Sequence, residues 1–232
     1  MKKICFLADR FLWEDGIKNL LYQELYKIAE EDNTVDFCFH GCHEVFAKEA
    51  VACILELKKC FPESNLSIVA IADPLKDLEG ELDKKGLLRR DEFPKDCVDR
   101  IEYAPLIDGK CEKYNNRFIQ HFYKINRWLY QQCDDMIAYY YDNLPNTTLR
   151  FAKSAVSGKS HLTMHHLYLP DTKDRIDILI EQLPEREREA VLALNMGKTY
   201  REIAAEYGVS YNRAQQYASK ADMRIRRWLR QN

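Results

Sequence analysis

The sequence predicts an α/β domain built on a parallel sheet, followed by a small all-α domain. Three observations carry that prediction. Short β-rich runs alternate with helix-length segments through the first 170 residues, the pattern of repeated β-α units. Several of those runs are almost continuously apolar, as strands covered on both faces are. After Pro170 no strand signal remains and every periodic segment has helical spacing. A boundary near residue 170 therefore gives two domains, 1–169 and 171–232.

The strands are expected at Lys3–Ala8, Val35–His40, Leu66–Ile71, Asp135–Tyr141 and Leu162–Leu169. Between them, Glu14–Glu30, Glu44–Phe61 and Asn115–Gln132 have helical length, and Thr147–Val156 is a shorter helix. Asp73–Lys113 is charged, irregular and broken by three prolines, and reads as a long excursion over the sheet edge. Beyond Pro170, Ile176, Leu179, Ile180 and Leu183 form the i, i+3, i+4, i+7 stripe of an amphipathic helix. Pro184 opens a second helix with Glu185, Glu187 and Glu189 near its start, where the dipole favours acids, and Gly197 closes it. Thr199 and Glu202 have capping-box spacing for a third helix that stops near Gly208. Ser210 caps a fourth that runs toward Trp228.

Composition bounds the function. With 46% hydrophobic and 31% charged residues, the 232-residue chain can bury a core, which excludes wholesale disorder. Its formal charge of -2 excludes a histone-like coat of positive charge, but the charge is uneven. From Asp171 onward there are 12 basic and 10 acidic residues, and from Val209 onward 6 basic to 1 acidic. The eight cysteines all lie within the first 133 residues, with no CxxC pair. With an apolar start too short for a signal peptide and no run of the ~20 apolar residues of a membrane span, a cytoplasmic, reduced protein off the membrane is expected.

The segment from Thr199 to Arg227 has the mechanical parts of a helix-turn-helix. Ala204 is small enough for two helices to cross closely, Gly208 permits the sharp turn, and Val209 fills the gap between them. On the last helix, Ala214, Tyr217, Ala221, Ile225 and Trp228 are expected to point inward. Asn212, Gln216 and Ser219 then share the opposite face, flanked by Arg213, Lys220, Arg224 and Arg227. Amides pair bidentately with adenine in the major groove, while guanidinium and ammonium groups suit phosphates.

This stretch resembles the fourth conserved region of bacterial sigma factors and the related LuxR-like modules. The likeness runs from Leu183-Pro184-Glu185-Arg186-Glu187-Arg188 through Ile203-Ala204, Gly208-Val209-Ser210, Arg213, Gln216, Lys220-Ala221 and Ile225-Arg226, without gaps. It implies double-stranded DNA as partner, with Tyr211, Asn212 and Gln216 reading bases and Arg213, Gln215 and Lys220 meeting the backbone. Tyr211 and Asn212 replace the Arg and Glu usual in promoter-reading sigma factors, and no core-polymerase-binding region precedes the motif. A self-sufficient sigma factor is therefore not expected. A homodimer is, since one module buries little surface and paired half-sites require two.

In the first domain, three polar clusters fall at strand ends, where open α/β sheets bind ligands. They are Ala8-Asp9-Arg10, Gly41-Cys42-His43-Glu44-Val45-Phe46 and Asn143–Thr148. Together with Leu55-Glu56-Leu57-Lys58-Lys59, Asn126-Arg127-Trp128 and Asp135-Met136-Ile137-Ala138-Tyr139, they resemble the SLOG superfamily, Rossmann-like domains that bind nucleotides or nucleotide-derived ligands. That resemblance implies a nucleotide-like small molecule near Asp9, Arg10, Gly41, His43, Asn126, Arg127, Thr147 and Thr148. The chain departs from the superfamily where glycines usually approach a phosphate: Glu44 or Val45 stands in the second loop and Asn146-Thr147-Thr148 before the last helix. The Pro-Gly-Gly-x-Gly-Thr motif and following catalytic Glu of the Lonely Guy phosphoribohydrolases are absent, so no catalytic residue is assigned. No cofactor is expected beyond that nucleotide-derived ligand.

Cys38, His40 and Cys42 share a strand face, but residue 42 falls in a turn and no second Cys/His cluster is suitably spaced, so no metal site is expected. His161, His165 and His166 read as structural, and Phe118, Phe122, Ile125 and Leu129 as core. The favoured function is a DNA-binding transcriptional regulator whose first domain senses a nucleotide-like ligand. Two alternatives stay open. One is a nucleotide-processing enzyme using Asp9, Arg10, His43 and Arg127; the other is a module that docks onto RNA polymerase.

Overall fold

A computed structural model describes residues 1–9, 13–40, 45–72, 97–105, 117–144 and 162–231, with backbone alone for Asp15, 117–123, 230 and 231. Along the described chain, the elements are β1 (Lys2–Ala8), α1 (Asp15–Glu31), β2 (Thr34–Phe39), α2 (Val45–Cys60), β3 (Asn65–Ala72) and β4 (Arg100–Tyr103). They continue with α3 (Arg117–Gln132), β5 (Asp135–Tyr139), β6 (Thr163–Leu167), α4 (Pro170–Glu181), α5 (Glu185–Asn195), α6 (Tyr200–Tyr207) and α7 (Tyr211–Gln231). The chain divides into two compact units. Met1–Ala138 with Lys153–Leu167 form one, and Tyr139–Ala152 with Tyr168–Asn232 the other.

The first unit is a six-stranded sheet in the order β4-β3-β2-β1-β5-β6. β1 pairs with β2, β2 with β3 and β3 with β4, all parallel. Burial explains the order. β3 and β5 are apolar almost throughout and lie inside the sheet, while the edges are taken by the polar strands β4 and β6. Register sets Ile4, Phe37 and Ile68 in one row across β1, β2 and β3, each fully buried. α1 presents Ile17, Leu21, Leu25 and Ile28 to the core at helical spacing, and α2 presents Phe46, Ala50, Ile54 and Leu57. At roughly 1.5–3 kcal/mol per fully buried large side chain, these rows are what holds the unit folded.

Two polar groupings are tied into this unit, one around a buried aspartate and one partly exposed. Asp36 on β2, 1% exposed, is gripped by both terminal nitrogens of Arg100 on β4, one of them at 2.9 Å, and Arg100 also bonds Glu102. The Asp36 hydrogen bonds raise the guanidinium above its ordinary value despite its partial burial. His165 on β6 lies between Glu24, 2.6 Å from Nδ1, and Asp135, 3.1 Å from Nε2, and Lys2 meets the same Asp135 at 3.0 Å.

The short strand β4 falls inside the segment expected to be irregular. Arg100 and Glu102 carry charge, but they alternate with Ile101 and Tyr103, and Arg100 finds its counter-ion inside the sheet. The expected helix Thr147–Val156 lies outside the described residues.

The second unit is held at its start by the turn after β5. Asn143 Nδ2 donates to the Lys173 carbonyl and to Asp177, both at 2.9 Å; Asn195 Nδ2 donates to the Asn143 carbonyl at 2.8 Å. Lys173 pairs with Asp142 at 3.0 Å. The stretch Tyr139–Ala152 therefore groups with the helices, while Lys153–Leu167 returns to the sheet unit and the helical unit resumes at Tyr168. No helix among the described residues is long and apolar enough to cross a membrane.

Candidate nucleic-acid interface

Helix ends fix the positions of the last four helices. Pro170 occupies the first turn of α4, and Pro184 stands at the N-cap of α5 rather than inside it. α5 stops at Gly197, whose φ of +86° only glycine adopts cheaply; the Gly197 and Lys198 amides return to the Leu194 and Ala193 carbonyls. Thr199 and Glu202 form the expected capping box: the Glu202 amide donates to Thr199 Oγ1 at 3.3 Å and the Thr199 amide to Glu202 Oε2 at 2.6 Å. Those Thr199 bonds, backbone first, hold the Glu202 carboxyl below its ordinary value. α6 ends on Gly208, φ +63°, with the Val209 amide bonded to the Ala204 carbonyl, and Ser210 Oγ caps α7 through the Arg213 amide.

Between α6 and α7 lies a small apolar centre. Ile203 and Ala214 are fully buried, with Ala193 and Ala204, and Leu194, Tyr207 and Val209 pack around them. A larger residue at 204 would separate the helices, and Val209 fills the turn as its position suggests. The buried stripe of α7 is Ala214, Ala218, Ala221 and Ile225. Tyr217 and Trp228, expected inside, are half-buried, and Ala218 takes the place given to Tyr217. The reason is chemical. The Tyr217 ring lies at the stripe's edge with the Arg213 guanidinium 5.0 Å from its centroid, and its hydroxyl accepts from Arg213 Nε at 3.2 Å.

Opposite the stripe, α7 is open. Tyr211, Asn212, Arg213, Gln215, Gln216 and Lys220, all expected to meet DNA, are exposed. Asn212, Gln215, Gln216, Ser219, Lys220 and Met223 line one shallow groove. Arg213 is drawn out of that set: besides Tyr217, it donates from Nη1 to Gln216 Oε1 at 3.3 Å. Tyr211 packs edge-on against Tyr200 at the start of α6, ring centroids 5.9 Å apart. The sequence pattern does not mark Tyr200; Met223 lies one turn beyond Ser219, and that i+4 step is the signal that places it on this face.

The charge of this face is smaller than the 6-to-1 count suggests. Arg224, expected to flank the reading face as a phosphate contact, instead pairs with Glu187 of α5 at 2.8 Å, because that carboxylate is almost buried beside it. Arg226 is 7% exposed and closes on both oxygens of Asp222 at 2.8–2.9 Å. Lys220 has no carboxylate partner among the described residues.

The candidate ligand residues of the first unit are placed unevenly. Asp9 follows β1 and is buried at 3% exposure. Asn126 Oδ1 lies 2.9 Å from His40 Nδ1, which links α3 to the end of β2, and the neighbouring Arg127 is exposed. His40 was not among the expected ligand residues, although it ends the β2 run. Arg10, Gly41, His43, Thr147 and Thr148 lie outside the described residues. Among the described residues, no group of three His, Cys, Asp or Glu side chains is placed to hold a metal ion.

Residues 173–223 match the family model for sigma-70, region 4, a stretch that begins in α4 and ends in α7 and makes up less than a quarter of the chain. No curated protein matches the chain. Among solved structures, the response regulator StyR, known at low resolution, is similar over 97% of this chain and 92% of that one, at 9% identity and a TM-score of 0.21. A likeness that loose carries no argument about fold or function.

Proposed function

We propose that the chain is a transcriptional regulator that binds double-stranded DNA through α6 and α7. The observation that carries this reading is the match to sigma-70 region 4 over residues 173–223, whose last helix presents an uncovered polar face. In a helix-turn-helix the second helix enters the major groove and its N-terminal residues meet base edges. Tyr211, Asn212 and Gln216 take that role here; Arg213, Gln215 and Lys220 meet phosphates. The chain acts as a homodimer on two half-sites.

The first unit, in this reading, is a SLOG-like sensor that holds a nucleotide-derived ligand at the carboxyl ends of β1 and β2. Asp9, Asn126 and Arg127 contribute there, together with Arg10, Gly41 and His43. Ligand binding changes the arrangement of paired helix-turn-helix modules. A second reading, supported by the same family match, is docking onto RNA polymerase.

Anisotropy of labelled genomic duplexes with the full chain tests the proposal. Binding that falls steeply between about 50 and 200 mM salt supports it, since phosphate neutralisation dominates such affinities. A polymerase complex that persists under excess competing DNA, with no duplex binding at low salt, supports the second reading instead.

A further inference from the structure

We infer that the groove on α7 selects A·T-rich major-groove sequence over G·C-rich sequence; this rests on the DNA-binding reading above. The inference comes from which donors reach the groove. Guanine is read in the major groove chiefly by a guanidinium or ammonium donating to O6 and N7, and adenine by an amide that accepts from N6 and donates to N7. Asn212 and Gln216 supply two amides along the first turn and a half of α7. The one guanidinium at that level, Arg213, is held on Tyr217 and Gln216 and does not line the groove.

The Arg213 bond also fixes how Gln216 is used. An amide oxygen has two lone pairs. With one accepting from Arg213 Nη1, the other remains for adenine N6–H, and the amide NH₂ stays free to donate to N7. Arg213 thus positions Gln216 through Nη1, which leaves Nη2 for its phosphate contact. Lys220 is the cation within the groove. It lies more than two turns from the start of α7, about 13 Å along the axis at 1.5 Å per residue, which suits a phosphate better than the base edges at the helix start.

The test is anisotropy of the full chain on duplex pools of equal length, one A·T-rich and one G·C-rich. The expected result is at least about tenfold tighter binding to the A·T-rich pool, the order of one well-formed amide–adenine pair. Replacing adenine by 7-deazaadenine, which removes the N7 acceptor and leaves minor-groove shape intact, should abolish most of that preference. Q216R, which places a guanidinium in the groove, should shift preference toward G·C. Equal binding to both pools overturns the inference and leaves DNA binding standing. A·T preference unchanged by 7-deazaadenine and by both N212A and Q216A also overturns it, since groove width would then be the signal. Absence of binding to either pool at about 50 mM salt overturns the DNA-binding reading itself.

Discussion

In the sheet unit, the strongest polar groups are turned inward. Asp36 lies beneath the sheet surface against Arg100, and His165 bridges Glu24 and Asp135 while Lys2 holds the same aspartate. In the helical unit, the inward stripe of α7 is alanine and isoleucine, and the amides of Asn212, Gln215 and Gln216 face outward. The difference follows from the elements. A sheet covered by helices must satisfy any charge it contains within itself, whereas one side of a terminal helix can be left to a partner. Polar residues in the first unit are therefore largely structural where they are well placed, and the amides on the outer face of α7 are available for binding.

That contrast can be broken in several ways, most severely at the cores. Ile203→Ala removes a fully buried side chain from the centre between α6 and α7 and should cost about 3 kcal/mol. Hydrogen exchange should show the loss in α5 to α7 while β1 to β3 stay protected. Arg100→Leu leaves Asp36 buried without its cation. A fully buried pair would lose ~3–5 kcal/mol, but the Arg100 side chain is 36% exposed, so about 2 kcal/mol is expected in denaturant unfolding. Uncoupling of exchange protection in the sheet from this substitution would contradict the inward-facing account.

Smaller effects sharpen the comparison. Thr199→Ala should destabilise α6 by about 1 kcal/mol, since the Glu202 amide loses its cap. The same box predicts a pH dependence. Because the folded Glu202 carboxyl lies below its ordinary value, its contribution is present at neutral pH and is lost as pH falls through and below the usual carboxylate range. Amide exchange at Ile203 and Glu202, compared at neutral and acidic pH, reads this directly, and E202Q, which removes the titrating carboxyl, should remove the difference. Lys220→Ala should change stability by no more than about 0.5 kcal/mol, as an exposed side chain does. In DNA binding it should weaken all sequences alike and lower the salt slope by about one.

How far the sequence reveals these features depends on regularity. The run Leu66–Ile71 identifies β3 because both of its faces are covered, and Thr199-Glu202 with Gly208 identifies α6 because caps act over three or four residues. β4 escapes detection because Arg100 and Glu102 look solvated until Asp36, far away in sequence, is brought beside them. On α7 the exposed face is legible from spacing alone, yet Tyr217 is misjudged, since its ring belongs as much to Arg213 as to the core. Arg224 is misjudged for the same reason, its partner Glu187 lying on another helix. Asp9 and His40, at the ends of β1 and β2, follow no helical or strand period that could place them, and the His40–Asn126 bond emerges from structure.

The central claim is that α7 of this chain is the DNA-reading helix of the helical unit. The most direct measurement is the affinity of the full chain and of K220A for one mixed-sequence duplex across about 50 to 200 mM salt. The account predicts measurable binding at low salt, a steep linear fall in log affinity with log salt, and a shallower slope for K220A. Undetectable binding at the lowest salt, or a slope that K220A leaves unchanged, would contradict it.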